Sequence, residues 1–313
     1  MPTLPRTALV PLLTLLGGCG FIGAGDDPLV LAFRGGAGYW PENSRHALSN
    51  ALIQPYDGVQ IDVALTSDLV PVLHRGPWLS HEICAGIDYD PNTGEGLLEE
   101  EQVRLMDYTF EELEDLYRCG GLVDPDYPDV QALEDGLMPF EEAIVALAAQ
   151  PGYLVQVNVI HDKGNTPEPE EIARAIVDLW FLYEPENRWF LSAPDKSMIE
   201  ALDAEAAAIG RPGEIETSLV WPEASPEGFG AGTVLGNDIA QTLGLADPVG
   251  QARAANSDGI AMPHSLLDRQ MVRKLQNADL AVHVWGADSG MALGAAQRWP
   301  VDAVITAYPE PAP

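Results

Sequence analysis

Polar side chains alternate with apolar ones in two short runs of this sequence. Gln60 and Asp62 lie in GVQIDVAL, and Gln156 and Asn158 lie in YLVQVNVI. Because side chains alternate between the two faces of a strand, each pair shares one face. Carboxylate and amide oxygens can coordinate Ca²⁺ or Mg²⁺, but charged oxygens hold these ions more tightly. The four residues therefore predict polar strand faces that carry only one formal negative charge.

A histidine and an arginine add proton-transfer and anion-binding chemistry to this part of the chain. His74 ends the apolar run 70–74, and the ordinary pKa of histidine lies near neutrality, which suits acid–base catalysis. Arg34 follows the run 29–33 and is expected either to contact an anionic ligand or to form a salt bridge with Asp62.

The elements that must position these residues alternate along the chain. Strands are predicted at 29–33, 58–64, 70–74, 153–160, 188–192, 215–221, 258–262, 280–285 and 302–306. Helices are predicted at 43–53, 109–117, 139–149, 168–183, 195–209, 265–277 and 289–298.

Eight or nine strands interleaved with helices predict an α/β protein with a single (β/α)8 TIM barrel. Many of the strands are continuous Val/Ile/Leu runs, as in parallel sheets covered on both faces. A doubly wound sheet is the alternative, but no Gly-x-Gly-x-x-Gly follows the first strand. The barrel is assigned to residues 29–309, with an acidic insertion at 77–138, a loop-rich insertion at 222–245 and a tail at 310–313.

Two blocks, LVLAFRGGAGYWPENSRHALSNA and GVQIDVALTSDLVPVLHR, resemble the opening of a glycerophosphodiester phosphodiesterase, a barrel related to phospholipase C. The fragments LMDYTFEELEDLYRCGG, MPFEEAI and LVQVNV follow in the family's order, and the resemblance spans about residues 29–309. It implies a phosphoric diester hydrolase that uses a divalent ion, Ca²⁺ or Mg²⁺, to cleave glycerophosphodiesters of lipid metabolism.

The same resemblance implies that several reactive groups of the family are replaced. Phe33 stands where the family has a catalytic His, and Gln60 and Gln156 stand where it has metal-binding Glu residues. Asn158 takes the position of a phosphate-contacting Lys, and Ala307 that of an Asp near the end of the chain. The chemistry is altered while the apolar framework is kept, so we expect no tightly bound cofactor.

Other positions of the family pattern are retained. Arg34 matches a phosphate contact, Asp62 a metal ligand and His74 a catalytic residue, although Arg75 follows His74 where the family has Asp. Trp285 resembles a strand-end Trp that lines the substrate mouth, with core packing as the alternative.

His161 and Asp162 close the strand that contains Gln156 and Asn158. Asp162 shares their parity and is a candidate substitute metal ligand, with a simple turn start as the alternative.

Three functions follow from these substitutions. The first is a pseudoenzyme that binds a small phosphodiester or polyol phosphate. The second is an active, metal-dependent hydrolase using Asp62, His74 and Asp162. The third is a purely structural envelope protein, favoured if Arg34 is buried in a salt bridge and no cleft remains. A formal net charge of -32 argues against nucleic acid as a partner.

The N-terminus predicts export and a lipid anchor. Residues 1–18 resemble a signal peptide whose Leu-Gly-Gly-Cys ending is similar to a bacterial lipobox, so Cys19 is the expected lipidation site, followed by a linker to residue 28. An ordinary secretory signal is the alternative. We expect a cell-envelope lipoprotein, with the outer membrane favoured because Gly20 differs from the Asp of inner-membrane lipoproteins. In an oxidising compartment, Cys84 and Cys119 are candidates for a disulfide, with two free thiols as the alternative.

Overall fold

The computed structural model describes residues 27–221 and 247–309. Its strands are β1 Leu29–Phe33, β2 Gly58–Leu65, β3 Pro71–Leu73, β4 Cys84–Gly86, β5 Tyr117–Cys119, β6 Met138–Pro139, β7 Leu154–Val159, β8 Arg188–Ala193, β9 Glu216–Val220, β10 Gly259–Pro263, β11 Ala281–Trp285 and β12 Ala303–Thr306.

Eight of these strands close into a parallel barrel. The order is β1, β2, β7, β8, β9, β10, β11 and β12, and β12 pairs again with β1. Each barrel strand overlaps a strand that the sequence predicted. The predicted (β/α)8 TIM barrel is therefore confirmed.

The prediction was wrong about the place of the run 70–74. This run forms β3, which pairs antiparallel with β2 and with β6 and lies outside the parallel barrel. Only a short turn separates β2 from β3, whereas a parallel crossover needs a dozen or more residues. The chain therefore turns back along β2 before the insertion 77–138.

The described helices cover the outside of the barrel, except the second, which lies in the insertion 77–138 and packs into its core. They are α1 Arg45–Ile53, α2 Phe110–Leu116, α3 Phe140–Ala148, α4 Pro169–Tyr183, α5 Lys196–Ala208, α6 Pro248–Ala254, α7 Arg269–Gln276 and α8 Gly290–Ala296. The sequence prediction missed α6, although Pro248 at its first turn is a helix-start signal. Helix α7 begins later than predicted because Asp268 caps it and accepts a hydrogen bond from the backbone N–H of Met271.

Two apolar layers hold the barrel together. The larger lies between the strands and the helices and includes Phe140, Ile176 and Val282. The smaller fills the lower barrel interior and includes Leu31 and Phe190. Polar residues lie between this inner layer and the carboxyl ends of the strands. The barrel interior is therefore filled by apolar side chains toward one end and is open at the other.

The insertion 77–138 has a small core of its own, which includes Leu79, Val103 and Leu113. Strands β4 and β5 form an antiparallel pair, and a disulfide joins Cys84 to Cys119 where they face each other. The insertion is thus tied together covalently as well as by packing.

Several sequence predictions fall outside the described residues. These are the signal peptide at 1–18, the lipidation site Cys19, the loop-rich insertion at 222–245 and the tail at 310–313. Within the described ranges, no helix combines the length and apolar character that a bilayer crossing requires.

Candidate functional site

A cavity of about 960 Å³ opens at the carboxyl ends of the barrel strands. This is the end at which barrel proteins place their ligand and catalytic groups. Its described lining is Phe33, Arg34, Gln60, Asp62, Arg75, Gly76, Pro77, Asp126, Tyr127, Gln156, Asn158, Ile160, His161, Asp162, Lys163, Pro194, Asp195, Ser197, Val220, Ala261, Trp285 and Ile305.

Strands β2 and β7 supply four polar residues, which we call the floor: Gln60, Asp62, Gln156 and Asn158. The parallel register sets Gln60 beside Gln156 and Asp62 beside Asn158. Their common parity turns all four side chains to the barrel interior. The structure therefore brings together the residues that the sequence had paired on each strand.

The carboxylate of Asp62 is surrounded by donors from this chain. Its Oδ1 accepts hydrogen bonds from the amide nitrogens of Gln60, at 2.9 Å, and Asn158, at 3.0 Å. Its Oδ2 accepts one from the amide of Asn43, at 3.1 Å, and lies 2.6 Å from Nε of Arg34. Both oxygens are fully engaged, and the side chain is 2% exposed.

A divalent ion of the kind that the resemblance implies does not fit this floor. An ion beside Asp62 would meet the N–H groups of Gln60 and Asn158 and the guanidinium of Arg34, which carry positive charge or partial charge. Ca²⁺ and Mg²⁺ require oxygen ligands instead. Within residues 27–221 and 247–309, no three His, Cys, Asp or Glu side chains form a group that could hold a metal ion.

The arginine after β1 is held by two carboxylates. Arg34 lies 2.6 Å from Asp62 and also donates to Glu42 at 2.6 Å, while Glu42 pairs in addition with Arg75 at 3.4 Å. Burial alone would lower the pKa of Arg34, but Glu42 and Asp62 outweigh it and raise the pKa above its ordinary value. Arg34 therefore stays charged, but its charge is largely balanced within the protein.

His74 lies outside the cavity lining and has both ring nitrogens engaged. Nδ1 donates to the carbonyl of Gly76 at 2.9 Å, and Nε2 accepts from the backbone N–H of Ser80 at 3.2 Å. Burial lowers the pKa of His74 to about 4, so the ring is neutral near pH 7. In this conformation His74 fixes the chain after β3 and offers the cavity no proton acceptor.

A second group, which we call the rim, lies beyond the ends of β7 and β8 and consists of His161, Lys163 and Asp195. Nδ1 of His161 lies 3.0 Å from Oδ2 of Asp195, and this hydrogen bond raises the pKa of the histidine. Lys163 is exposed and forms no ion pair with any residue of the described chain. The rim thus contains a histidine that can change protonation and a cation available to a ligand.

The other predicted site residues take different positions. Phe33 and Trp285 both line the cavity, and the guanidinium of Arg34 lies 4.5 Å from the centre of the Phe33 ring. Asp162 also lines the cavity, but its carboxylate accepts from the side chain of Asn165 and its backbone N–H donates to Thr166, as at a turn start. The substitute metal ligand proposed at Asp162 has no carboxylate cluster beside it.

The sequence analysis assigned no part in the site to Glu42 and Asn43. Asn43 clamps Asp62 twice, because its amide nitrogen donates to the carboxylate and its amide oxygen accepts from the Asp62 backbone N–H at 3.0 Å. Their position directly after the Arg34 turn was the available signal. Asp195 was also missed, although a Pro-Asp pair after an apolar run marks a helix start.

The architecture and the position of the cavity define a parallel (β/α)8 barrel with an open cavity at the carboxyl end of its strands. The model of the glycerophosphoryl diester phosphodiesterase family matches residues 34–205. This match covers more than half of the chain, so the protein belongs to the glycerophosphoryl diester phosphodiesterase family.

Solved structures show the same fold at low sequence identity. A Silicibacter pomeroyi structure assigned to this family is 17% identical, with 91% of each chain covered and a TM-score of 0.71. An Oleispira antarctica phosphodiesterase in complex with its product sn-glycerol-3-phosphate is 21% identical, with 90% of this chain and 94% of that one covered and a TM-score of 0.62. An uncharacterized Mycobacterium tuberculosis protein is 40% identical over 78 residues, which span 23% of this chain and 26% of that relative.

Proposed function

We propose that this protein binds a polyol phosphate or a small phosphodiester in the barrel cavity and does not cleave it by metal-dependent catalysis. The observation that carries the proposal is that an ion pair with Arg34 and hydrogen bonds from Asn43, Gln60 and Asn158 surround Asp62. The remaining carboxylate of the implied metal site is thereby committed to the protein. The cavity nevertheless stays open, which favours a binding protein over a purely structural one.

Three features support a phosphate-bearing ligand. The family relative from Oleispira antarctica binds sn-glycerol-3-phosphate. Lys163 provides an exposed ammonium at the cavity. Phe33 and Trp285 offer aromatic surface on which an aliphatic chain or a polyol can pack. Phosphate held by Lys163 would sit at the rim, above the floor.

The test is an assay with glycerophosphocholine combined with calorimetry on sn-glycerol 3-phosphate. The proposal predicts no turnover with Ca²⁺ or Mg²⁺ beyond that with a chelator, and measurable binding of sn-glycerol 3-phosphate. Lys163→Gln should weaken this binding by roughly five- to tenfold, the loss of one charge-assisted contact. Lys196→Gln, which removes an exposed lysine paired with Glu200, is the matched control. Metal-dependent turnover that disappears in Asp62→Asn would overturn the proposal.

The rim supports a second candidate function, hydrolysis without a metal. His161 is oriented by Asp195, and an oriented histidine at a cavity can act as a general base. In the same assay, turnover that survives the chelator and is lost in His161→Gln would identify this activity. The metal-dependent alternative would instead require His74, whose two nitrogens are engaged, and Asp162, which starts a turn.

We further propose that the mature protein is exported and anchored to the cell envelope, with the outer membrane favoured, through lipidation of Cys19. The lipobox-like sequence before Cys19 supports this proposal. Metabolic labelling with palmitate should mark the wild-type protein and leave Cys19→Ser unlabelled. Equal labelling of the two would contradict a lipid anchor at this residue.

A further inference from the structure

Two amide oxygens on the floor lack a hydrogen-bond partner among the described residues. They are Oε1 of Gln156 and Oδ1 of Asn158, and both atoms are buried. The two residues lie two positions apart on β7, so their Cα atoms are about 7 Å apart along one face of the strand. Both line the cavity, and Gln156 as a whole is 2% exposed.

The hydrogen-bond network fixes which atom of each amide is left over. Ser192 gives its own hydroxyl proton to the carbonyl of Val157, so its oxygen must accept from the nitrogen of Gln156, at 3.2 Å. The nitrogen of Asn158 donates to Asp62, whose carboxylate can only accept. Flipping the Asn158 amide would set its oxygen against the Asp62 carboxylate, so the unpaired atom of Asn158 is the oxygen. With Ser192 donating to the carbonyl of Val157, the unpaired atom of Gln156 is also the oxygen.

Two unpaired acceptors select a ligand that can donate. A buried acceptor without a partner costs free energy, and a ligand hydroxyl that donates to it recovers that cost. Phosphate oxygens are acceptors near neutral pH and cannot satisfy Gln156 or Asn158. A quaternary ammonium has no N–H and cannot do so either. A group with two neighbouring hydroxyls has the required protons.

The charges around the cavity point the same way. Its described lining includes three cationic side chains (Arg34, Arg75, Lys163) and four carboxylates (Asp62, Asp126, Asp162, Asp195). Arg34 and Arg75 are paired with carboxylates, so the deep end has no spare positive charge. Only the exposed rim, at Lys163, favours an anion.

We infer that the floor of the cavity is a hydroxyl-recognition subsite, in which Gln156 and Asn158 accept hydrogen bonds from the polyol part of the ligand. This inference rests on the proposed function and adds the orientation of the ligand. The polyol enters first, and the phosphate remains at the rim. The ligand class is a polyhydroxylated compound whose neighbouring hydroxyls reach the floor.

A matched ligand pair tests this inference on the unchanged protein. sn-Glycerol 3-phosphate and propyl phosphate share the phosphate and the three-carbon chain, but only the first has hydroxyls. The subsite predicts that sn-glycerol 3-phosphate binds roughly 10- to 100-fold more tightly in calorimetry, the effect of one to two hydrogen bonds. Free glycerol provides a third arm without phosphate.

Variants assign the preference to the floor. Gln156→Leu removes the acceptor at nearly constant volume and should reduce the preference for sn-glycerol 3-phosphate by about tenfold. Gln150→Leu makes the same exchange at an exposed residue before β7, at the other end of the barrel, and should keep the full preference. Circular dichroism checks that both variants are folded. If Gln156→Leu does not fold, Gln156→Met replaces it in the same measurement.

The outcomes separate this inference from the proposed function. Equal affinity for the two phosphates overturns the hydroxyl subsite and leaves phosphate binding intact. Binding of free glycerol that Gln156→Leu weakens, without any gain from the phosphate, supports the subsite and overturns the phosphate-binding proposal. If none of the three compounds binds, both are overturned.

Discussion

The barrel interior and the rim of the cavity differ in how their charged and titratable side chains are buried and paired. Inside the barrel, Asp62 is enclosed by the Arg34 ion pair and three hydrogen-bond donors. His283 is fully buried, and neither of its ring nitrogens is bonded to a described residue. At the rim, His161 pairs with Asp195 and Lys163 is exposed. The charged groups of the interior are thus enclosed by protein, whereas those of the rim are at least partly exposed to solvent.

This arrangement is the one expected if, as we propose, the barrel lacks metal-dependent catalysis and keeps its cavity. Replacing ligand carboxylates by amides removes negative charge, and the amide nitrogens then bind the carboxylate that remains. On the floor, donors from the protein then surround Asp62 without an ion. The titratable pair at the cavity, His161 and Asp195, lies instead in the loops after β7 and β8.

The largest expected effect comes from removing the cation of the interior. Arg34→Met leaves Asp62 and Glu42 buried without their main partner and should lower the free energy of unfolding by about 3–5 kcal/mol. Urea denaturation measures the change. Arg211→Met, which breaks exposed pairs with Glu184 and Glu214, should cost less than about 1 kcal/mol. Similar losses of unfolding free energy in the two variants would show that the buried ion pairs of Arg34 contribute no more to stability than exposed ones.

Returning two carboxylates to the floor should create metal affinity. In Gln60→Glu/Gln156→Glu, two acidic side chains adjoin Asp62, and each contact with a divalent ion contributes several kcal/mol before desolvation. Calorimetry should show Ca²⁺ binding at least about 100-fold tighter than in the wild type. Gln150→Glu/Gln276→Glu adds the same charge at the surface and should show no such gain. Unchanged affinity in the floor variant would mean that other features exclude the ion.

Acid should destabilise the protein through its buried histidines. Burial lowers the pKa to about 4 for His74 and, helped by Arg188, to about 3 for His283. Below about pH 6.5 these histidines are protonated in the unfolded chain but stay neutral in the folded chain. The free energy of unfolding therefore falls with falling pH until the folded pKa values are reached.

The expected slope is about 1.4 kcal/mol per pH unit for each buried histidine, and it vanishes for them above pH 6.5. Urea denaturation at pH 7.5 and pH 5 should show a smaller loss in His283→Leu than in the wild type. The exposed variant His46→Gln is the control and should keep the wild-type loss. An unchanged loss in His283→Leu would argue that this ring takes up a proton inside the fold.

The smallest effect is expected at the rim. Asn at position 195 can still cap α5 but no longer stabilises a protonated His161, so Asp195→Asn should lower the pKa of His161 toward its ordinary value. An NMR titration of the ring measures this. Asp162→Asn should have a smaller effect, because Asp162 influences His161 only through space. If Asp195→Asn leaves the titration unchanged, the hydrogen bond does not set the charge of the rim.

The barrel could be predicted from the sequence because its strands are short, mostly apolar runs separated by helical stretches. The bounds predicted for β1 are those of the structure, and those for β7 differ by one residue at each end. The run 70–74 was predicted as one of the barrel strands. Its apolar composition does not show that it pairs antiparallel with β2. Local pattern gives the type of element, whereas pairing depends on connection length.

The floor could be predicted only in part. Parity within each strand placed Gln60 with Asp62 and Gln156 with Asn158, and the structure adds the register between the strands. The sequence could not give the direction of each amide, because the bond from Asn158 to Asp62 spans 96 positions and depends on barrel closure. The rim was hidden for a similar reason, since His161 and Asp195 end different strands.

The central claim is that the donors around Asp62 leave no place for a divalent ion, and a calorimetric titration of the wild-type protein with Ca²⁺, Mg²⁺ and Mn²⁺ tests it most directly. The account predicts no one-to-one binding isotherm at ion concentrations up to about 1 mM, the weak end of protein calcium sites. A one-to-one isotherm in the micromolar range that disappears in Asp62→Asn would contradict it.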